Sequence, residues 1–177
     1  MKKNVIVGVT GGIACYKAVE VVNQLNKDGY NVTVVMTKNA QQFVCPLTFQ
    51  TMSGNDVVVD TFDKNNKIPT LHIDLAKSAD LCLIVPATAN FIGKVASGIA
   101  DDMLTTTILA MKNPILIAPA MNQNMYENKI VQDNIAKLKK FGYKVLDTDK
   151  GHLACGDVGS GKLLPWEKIV EIAKSYL

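Results

Sequence analysis

Runs of β-branched and apolar residues alternate along this chain with stretches whose apolar residues return every three or four positions. That alternation restricts the fold more than any other feature. Asn4-Val5-Ile6-Val7-Gly8-Val9 is apolar on both faces, as a strand covered on both sides must be. Thr10-Gly11-Gly12 breaks the run, and Ala18, Val21, Val22 and Leu25 then form the stripe of a helix that ends near Asp28-Gly29. Further strands are predicted over 31–36, 81–85, 114–118 and 143–146, with a short one over 56–60. Helical stripes follow at Ile92, Val95, Ala96 and Ile99, and at Leu104, Ile108 and Met111 behind Asp101-Asp102. Another pairs Val131 with Ile135 and Leu138 and stops near Gly142, and a terminal one carries Trp166, Ile169, Val170 and Ala173. Shorter helices are expected within 39–54 and from 71 onward, a mobile surface loop at 63–67, and a glycine-rich stretch over 151–161. Strand-helix alternation with right-handed crossovers predicts a single domain, residues 1–177, built as a three-layer α/β sandwich around a mostly parallel sheet.

Composition removes several function classes. At 48% hydrophobic and 20% charged residues the chain builds an ordinary core, and a net charge of +3 without a basic stripe argues against nucleic acid or membrane partners. Cys15, Cys45, Cys82 and Cys155 lack CxxC spacing and a His at ligand spacing, so no metal site is expected and the thiols read as reduced. The N-terminus leads at once into a strand, and no run is long enough to span a bilayer, which predicts a soluble cytoplasmic protein.

The predicted strand exits carry the chemistry, because ligands of open α/β sheets gather at the carboxyl ends of the strands. The first turn, Gly8-Val9-Thr10-Gly11-Gly12-Ile13, has the wrong glycine spacing for a dinucleotide fingerprint, and Thr37 stands where that fold needs an acid on the ribose. Glycine amides and hydroxyls suit a phosphate-bearing mononucleotide better; alternatively Gly11-Gly12 only turns the chain and Thr37 only caps a helix. Ala118-Pro119-Ala120-Met121-Asn122 is the exit of a central strand. Asn122 there serves either as a helix N-cap or as an amide presented to a ligand.

Taken together, the Gly11-Gly12-Ile13 turn, His72 in His-Ile-Asp-Leu, Pro86-Ala87-Thr88-Ala89-Asn90, the stretch Pro119 to Tyr126, and Ala154-Cys155-Gly156-Asp157 with Gly159 and Gly161 resemble the flavin-dependent cysteine decarboxylases. The resemblance covers essentially the whole chain and implies a Rossmann-like flavoprotein sandwich binding FMN. It implies that Gly11, Gly12, Ile13, Thr37, Phe43, Pro86, Ala87, Thr88, Ala89, Asn90 and Ala120 surround FMN, and that His72, Asn122 and Cys155 form the catalytic group. Lys77, Met125 and Ala154 match positions that approach substrate, Lys77 being either a charge partner, across a subunit boundary, or a solvated helix residue. The implied reaction is decarboxylation of phosphopantothenoylcysteine to 4'-phosphopantetheine in coenzyme A biosynthesis. The implied assembly is a homotrimer or a dodecamer built from trimers.

The chemistry agrees with these residue types. Loss of carbon dioxide from a cysteinyl carboxylate leaves a carbanion without a sink unless the thiol is first oxidised toward a thioaldehyde, and FMN accepts those electrons. His72 suits a base because imidazole titrates near the working pH. A neutral amide at Asn122 grips the carboxylate without over-stabilising the ground state as an arginine would. Cys155 suits a proton donor that completes the reductive half, and its glycine-rich surroundings suit a cover that closes over substrate. Rival readings are a peptidyl-cysteine decarboxylase of lantibiotic maturation, which the Ala-Cys-Gly-Asp context disfavours, and a regulatory subunit resembling the halotolerance proteins, whose acidic extensions are missing here. A flavin prenyltransferase fits poorly with Pro-Ala-Met-Asn. Family members in many bacteria are fused to a synthetase domain, whereas this chain reads as a stand-alone enzyme.

Overall fold

The computed structural model describes residues 2–62, 68–152 and 154–177. Its centre is a parallel sheet of β1 (Asn4–Val9), β2 (Asn31–Met36), β3 (Leu81–Ala87), β4 (Ile115–Pro119) and β5 (Lys144–Val145), in the order β2-β1-β3-β4-β5. Strand side chains point alternately to opposite faces, and both sets are apolar. Val5, Val7, Leu81, Leu83, Leu116 and Ala118 face one side, where α1 (Cys15–Lys27), α2 (Pro46–Ser53) and α8 (Trp166–Lys174) cover them with Val21, Leu25, Phe49 and Ile169. Ile6, Cys82, Ile84, Ile115 and Ile117 face the other. There α3 (Leu71–Ser78), α4 (Ala89–Ala96), α5 (Met103–Ala110) and α7 (Lys129–Lys140) supply Leu75, Ile92, Leu104 and Ile135. The predicted three-layer sandwich is therefore present, with helices on both faces. Gly8 leaves room for its neighbours' side chains, since a Cβ there would lie 2.5 Å from Ile84 Cδ1 of β3 and 2.7 Å from Leu104 Cδ1 of α5.

Helix starts follow the chemistry of their first residues. Thr88 caps α4 by accepting from the Phe91 amide, Asp102 and Thr105 form a capping box on α5, and Asn128 caps α7. The start of α1 is different: its N-cap is Ala14, and no side chain accepts from its first-turn amides.

Several sequence expectations change. Residues 56–60 form no strand; Val58 makes a single parallel bridge to β2, donating to Val34 O and accepting from Met36 N, both at 2.9 Å. The helix after Asn122 is two helices, α6 (Gln123–Tyr126) and α7, because Asn128 starts a new one. Helix α4 ends at Ala96, before Gly98 in the left-handed region at φ 70°, and Ile99 lies beyond it, exposed. Met111 is the C-cap of α5 and still packs against the cluster that holds Leu104 and Ile108. Strand β5 has two residues, not four. The glycine-rich stretch is an antiparallel hairpin of β6 (Asp149–His152) and β7 (Val158–Lys162). The loop expected at 63–67 lies outside the described residues.

Candidate active site

The strand order reverses between β1 and β3, so their carboxyl ends diverge and leave a crevice at the switch point, where ligands of such sheets bind. Thr10 ties the two exits together. Its Oγ1 donates to Pro86 O at 2.7 Å and accepts from Thr88 N at 3.0 Å, while Thr10 itself is buried. The crevice has a volume of about 510 Å³, within the range of cofactor sites. Its walls are Thr10, Gly11 and Gly12 after β1, Thr37, Lys38 and Asn39 after β2, and Thr88, Ala89, Asn90 and Phe91 after β3; Ala120 and Met121 after β4 close it with Met125.

This crevice fits a phosphate-bearing group. Gly11 has no room for a side chain, since a Cβ would meet Asn39 Cβ at 2.5 Å, and a Cβ on Gly12 would stand 3.5 Å from Thr88 Cγ2. Gly11 and Gly12 thus bring bare backbone to the wall, Gly12 N donating to Thr10 O at 3.0 Å, beside an α1 N-terminus that no side chain caps, and a helix N-terminus of this kind attracts an anion. Lys94 also reaches the wall, held by Asp101 at 2.7 and 2.9 Å and by Asp102 at 3.7 Å. The hydrogen bond from Lys94 draws the Asp101 carboxyl below its ordinary range, and the same contact raises the Lys94 ammonium.

A second cleft of about 460 Å³ adjoins the first along shared walls of Gly12, Ala120 and Met121. It is lined by Ile13, Tyr16 and Lys17 from the start of α1, by Asn122, and by His152, Ala154, Cys155, Gly161 and Lys162 from the hairpin. The hairpin is docked by the backbone: Met121 N donates to Gly161 O at 2.9 Å. Gly161 lies at φ 96°, and a Cβ there would fall 2.5 Å from Met121 O, so only glycine permits this seat.

Asn122 performs the capping role and presents its amide as well. Its Oδ1 accepts from Asn124 N at 2.8 Å, capping α6. That fixes the amide, and Nδ2 points across the second cleft to Cys155 Sγ at 3.3 Å and Asp157 Oδ2 at 3.2 Å. The Cys155 thiol donates to the same carboxylate oxygen at 3.2 Å.

The remaining sequence candidates fall as follows. Met125 and Ala154 line the clefts; Ile13 lines the second cleft rather than the first. Pro86 and Ala87 are buried in β3 and line neither, although Pro86 O anchors Thr10. Phe43 is 49% exposed and outside both walls. His72 and Lys77 stand on α3, half-buried and exposed respectively, and line neither cleft of their own chain. Sequence reasoning passed over Tyr16, Lys17, Met121 and Lys162 as cleft residues, and left Asp157 without a part. The signal for Lys17 was available: it follows the glycine turn and sits off the buried stripe of α1.

The sheet order, the switch-point crevice and the adjoining cleft define a nucleotide-binding α/β protein, and the sequence matches the Flavoprotein family over residues 1–177. The chain belongs to that family. It is 50% identical over 174 residues to the coenzyme A biosynthesis bifunctional protein CoaBC of Bacillus subtilis, covering 98% of this chain and 43% of that protein. It is 47% identical over 179 residues to a probable phosphopantothenoylcysteine decarboxylase of Streptococcus mutans, covering the whole of both. The chain thus spans less than half the length of the bifunctional relatives. Among solved structures it resembles a cysteine-to-serine variant of PPC decarboxylase complexed with pantothenoylaminoethenethiol, with TM-score 0.89 and 29% identity over 99% of this chain and 98% of that one. The FMN-dependent cysteine decarboxylase SpaF superposes with TM-score 0.83 and 31% identity over 97% of this chain and 94% of that one.

Proposed function

We propose that this chain catalyses the FMN-dependent decarboxylation of 4'-phospho-N-pantothenoylcysteine to 4'-phosphopantetheine. The observation that carries the reading is the position of Asn122, beside the seam between the two clefts with its amide turned to Cys155. The first cleft would hold FMN between Gly11, Gly12 and Thr37 and the strand exits that carry Thr88, Ala89, Asn90 and Ala120. FMN, when bound, supplies the reversible two-electron acceptor that such a decarboxylation requires.

Substrate enters the second cleft. Asn122 Nδ2 donates to the cysteinyl carboxylate and orients the bond that breaks; being neutral, it loses little when the carboxylate leaves as uncharged carbon dioxide. Cys155 holds its thiol hydrogen over the same point and returns a proton to the substrate carbon after the carboxylate has gone. Lys17 and Lys162, cationic side chains in the wall of this cleft, receive the substrate phosphate. Met125 and Ala154 complete the enclosure.

His72 acts as base in the cleft of a neighbouring copy, with Lys77 on the same helix, because α3 reaches neither cleft of its own chain. A homo-oligomer, a trimer or a dodecamer of trimers, is therefore part of the reading. Large apolar side chains left exposed support it, among them Ile13 and Tyr16 in the second cleft and Phe43 and Leu47 outside both clefts. The free cysteines suit a reducing, cytoplasmic setting.

The test is to purify the protein with FMN, supply 4'-phospho-N-pantothenoylcysteine, and follow carbon dioxide release and product mass. The expected product is 4'-phosphopantetheine, and Cys155→Ser is expected to stall at a product lighter by one hydrogen pair. A protein that takes up no FMN and releases no carbon dioxide refutes the reading. Turnover of cysteine-terminated peptides alone would replace it with the peptidyl-cysteine activity.

A further inference from the structure

The hairpin carries a carboxylate that the proposed reaction leaves unused. Asp157 Oδ2 accepts from Asn122 Nδ2 and from the Cys155 thiol, each at 3.2 Å. Among the described residues no lysine or histidine forms an ion pair with Asp157. Its hydrogen bonds therefore come from the two groups that the reaction assigns to substrate. Asn122 cannot turn to offer a different face, because its Oδ1 is committed to the α6 cap. One amide nitrogen then confronts two carboxylates, that of Asp157 and that of the substrate. Like charges drawn to one small donor repel, so one displaces the other.

We infer, resting on the activity proposed above, that Asp157 is a placeholder for the substrate carboxylate. It competes for Asn122 Nδ2, yields that donor when a carboxylate-bearing ligand binds, and takes it back once the carboxylate has departed as neutral carbon dioxide. Its return carries the Cys155 thiol with it, since thiol and amide share the same carboxylate oxygen. Asp157 is thus a positioning residue that orders the two halves of the reaction: carboxylate on Asn122 first, thiol beside Asn122 second. The exchange also discriminates between ligands, because a decarboxylated product has no charge with which to expel Asp157. The exposed hairpin position of Asp157 makes its substitution tolerable to the fold.

The experiment uses the full chain loaded with FMN and compares Asp157→Asn with the wild type by calorimetry. The probes are N-(4'-phosphopantothenoyl)serine, which keeps the carboxylate but lacks the oxidisable thiol, and 4'-phosphopantetheine, which lacks the carboxylate. Removing one competing charge from a charge-assisted hydrogen bond should tighten the serine ligand about tenfold. Affinity for 4'-phosphopantetheine should stay unchanged, and Asp157→Glu, which keeps the charge, should bind the serine ligand as weakly as the wild type. In turnover, Asp157→Asn should show a lower KM without a higher kcat, together with product lighter by one hydrogen pair. Equal effects on both ligands, or weaker binding of the serine ligand, would overturn the placeholder while leaving the activity standing. A wild type that binds neither ligand and releases no carbon dioxide would overturn both.

Discussion

Thr10→Val tests whether the switch-point crevice is held open by one hydroxyl. The substitution keeps the shape of the side chain and removes Oγ1, which donates to Pro86 O at 2.7 Å and accepts from Thr88 N at 3.0 Å. Each buried backbone group left without a partner costs about 1–3 kcal/mol. Pro86 is fully enclosed in β3, which places its carbonyl at the upper end, whereas Thr88 is half-buried and its amide belongs at the lower end. The added methyl returns about 0.8 kcal/mol of burial, so the net loss is about 2–4 kcal/mol. For a chain of this length, that corresponds to a fall in Tm of about 5–15 °C. Scanning calorimetry of Thr10→Val, with Thr10→Ser as the variant that keeps the hydroxyl, provides the measurement. Thr10→Ser should lose only about 1 kcal/mol, the value of one buried methyl. Flavin retention after gel filtration should fall in Thr10→Val, because Thr10 and Thr88 are both walls of the first cleft. A Thr10→Val protein melting within about 2 °C of wild type, or a Thr10→Ser protein equally destabilised, would refute the stitch.

Thiol reactivity and substrate charge give further tests. Burial alone pushes the Cys82 thiol up to about 12, and burial outweighs the backbone hydrogen bonds that lower Cys15. At mildly alkaline pH both stay protonated and enclosed, so iodoacetamide should label Cys45 and Cys155 in the folded protein and reach Cys15 and Cys82 only after denaturation. Mass spectrometry showing native labelling at Cys82 would contradict the buried placement of β3. Lys17→Met should raise KM for 4'-phospho-N-pantothenoylcysteine about tenfold while leaving the weaker turnover of unphosphorylated pantothenoylcysteine unchanged; parallel changes in both would remove Lys17 from phosphate binding.

The central layers were legible in sequence because burying both faces of a parallel strand demands an unbroken apolar run, which β1, β3 and β4 each show. The edges were less legible. Residues 143–146 look like the others, yet β5, at the sheet edge, pairs with β4 at Lys144 and Val145 alone. Residues 56–60 carry the β-branched run Val57-Val58-Val59 but meet β2 at Val58 alone. The split between α6 and α7 was hidden because Val131, Ile135 and Leu138 all lie beyond it, within α7, and the Asn128 cap that starts this helix is one polar residue among several before it. The hairpin was illegible for a different reason. Its strands are polar and glycine-rich, and they are placed by contacts with Met121 and Gln123 that only the folded chain creates. Of the residues that the motifs assigned to FMN, Gly11, Gly12, Thr37, Thr88, Ala89, Asn90 and Ala120 line the first cleft, since strand exits adjoin wherever the sheet order brings them together. Motif reading could not say that His72, on α3, would line neither cleft of its own chain, because which helix face borders a strand exit is not written in any local pattern.

Asn122 shows why one residue type satisfies demands that look exclusive in sequence. An asparagine amide has two ends of opposite polarity, and a helix N-cap uses only the acceptor. Spending Oδ1 on Asn124 N removes the freedom of the amide to flip, so its donor end is aimed by the backbone of α6 rather than by the ligand. An aspartate would cap equally well but would turn a second negative oxygen toward Asp157 and the substrate carboxylate. A serine would cap and offer nothing to the cleft. The cap is therefore what aims the donor, and that donor already holds a carboxylate, that of Asp157, where the proposed reaction puts the carboxylate of the substrate.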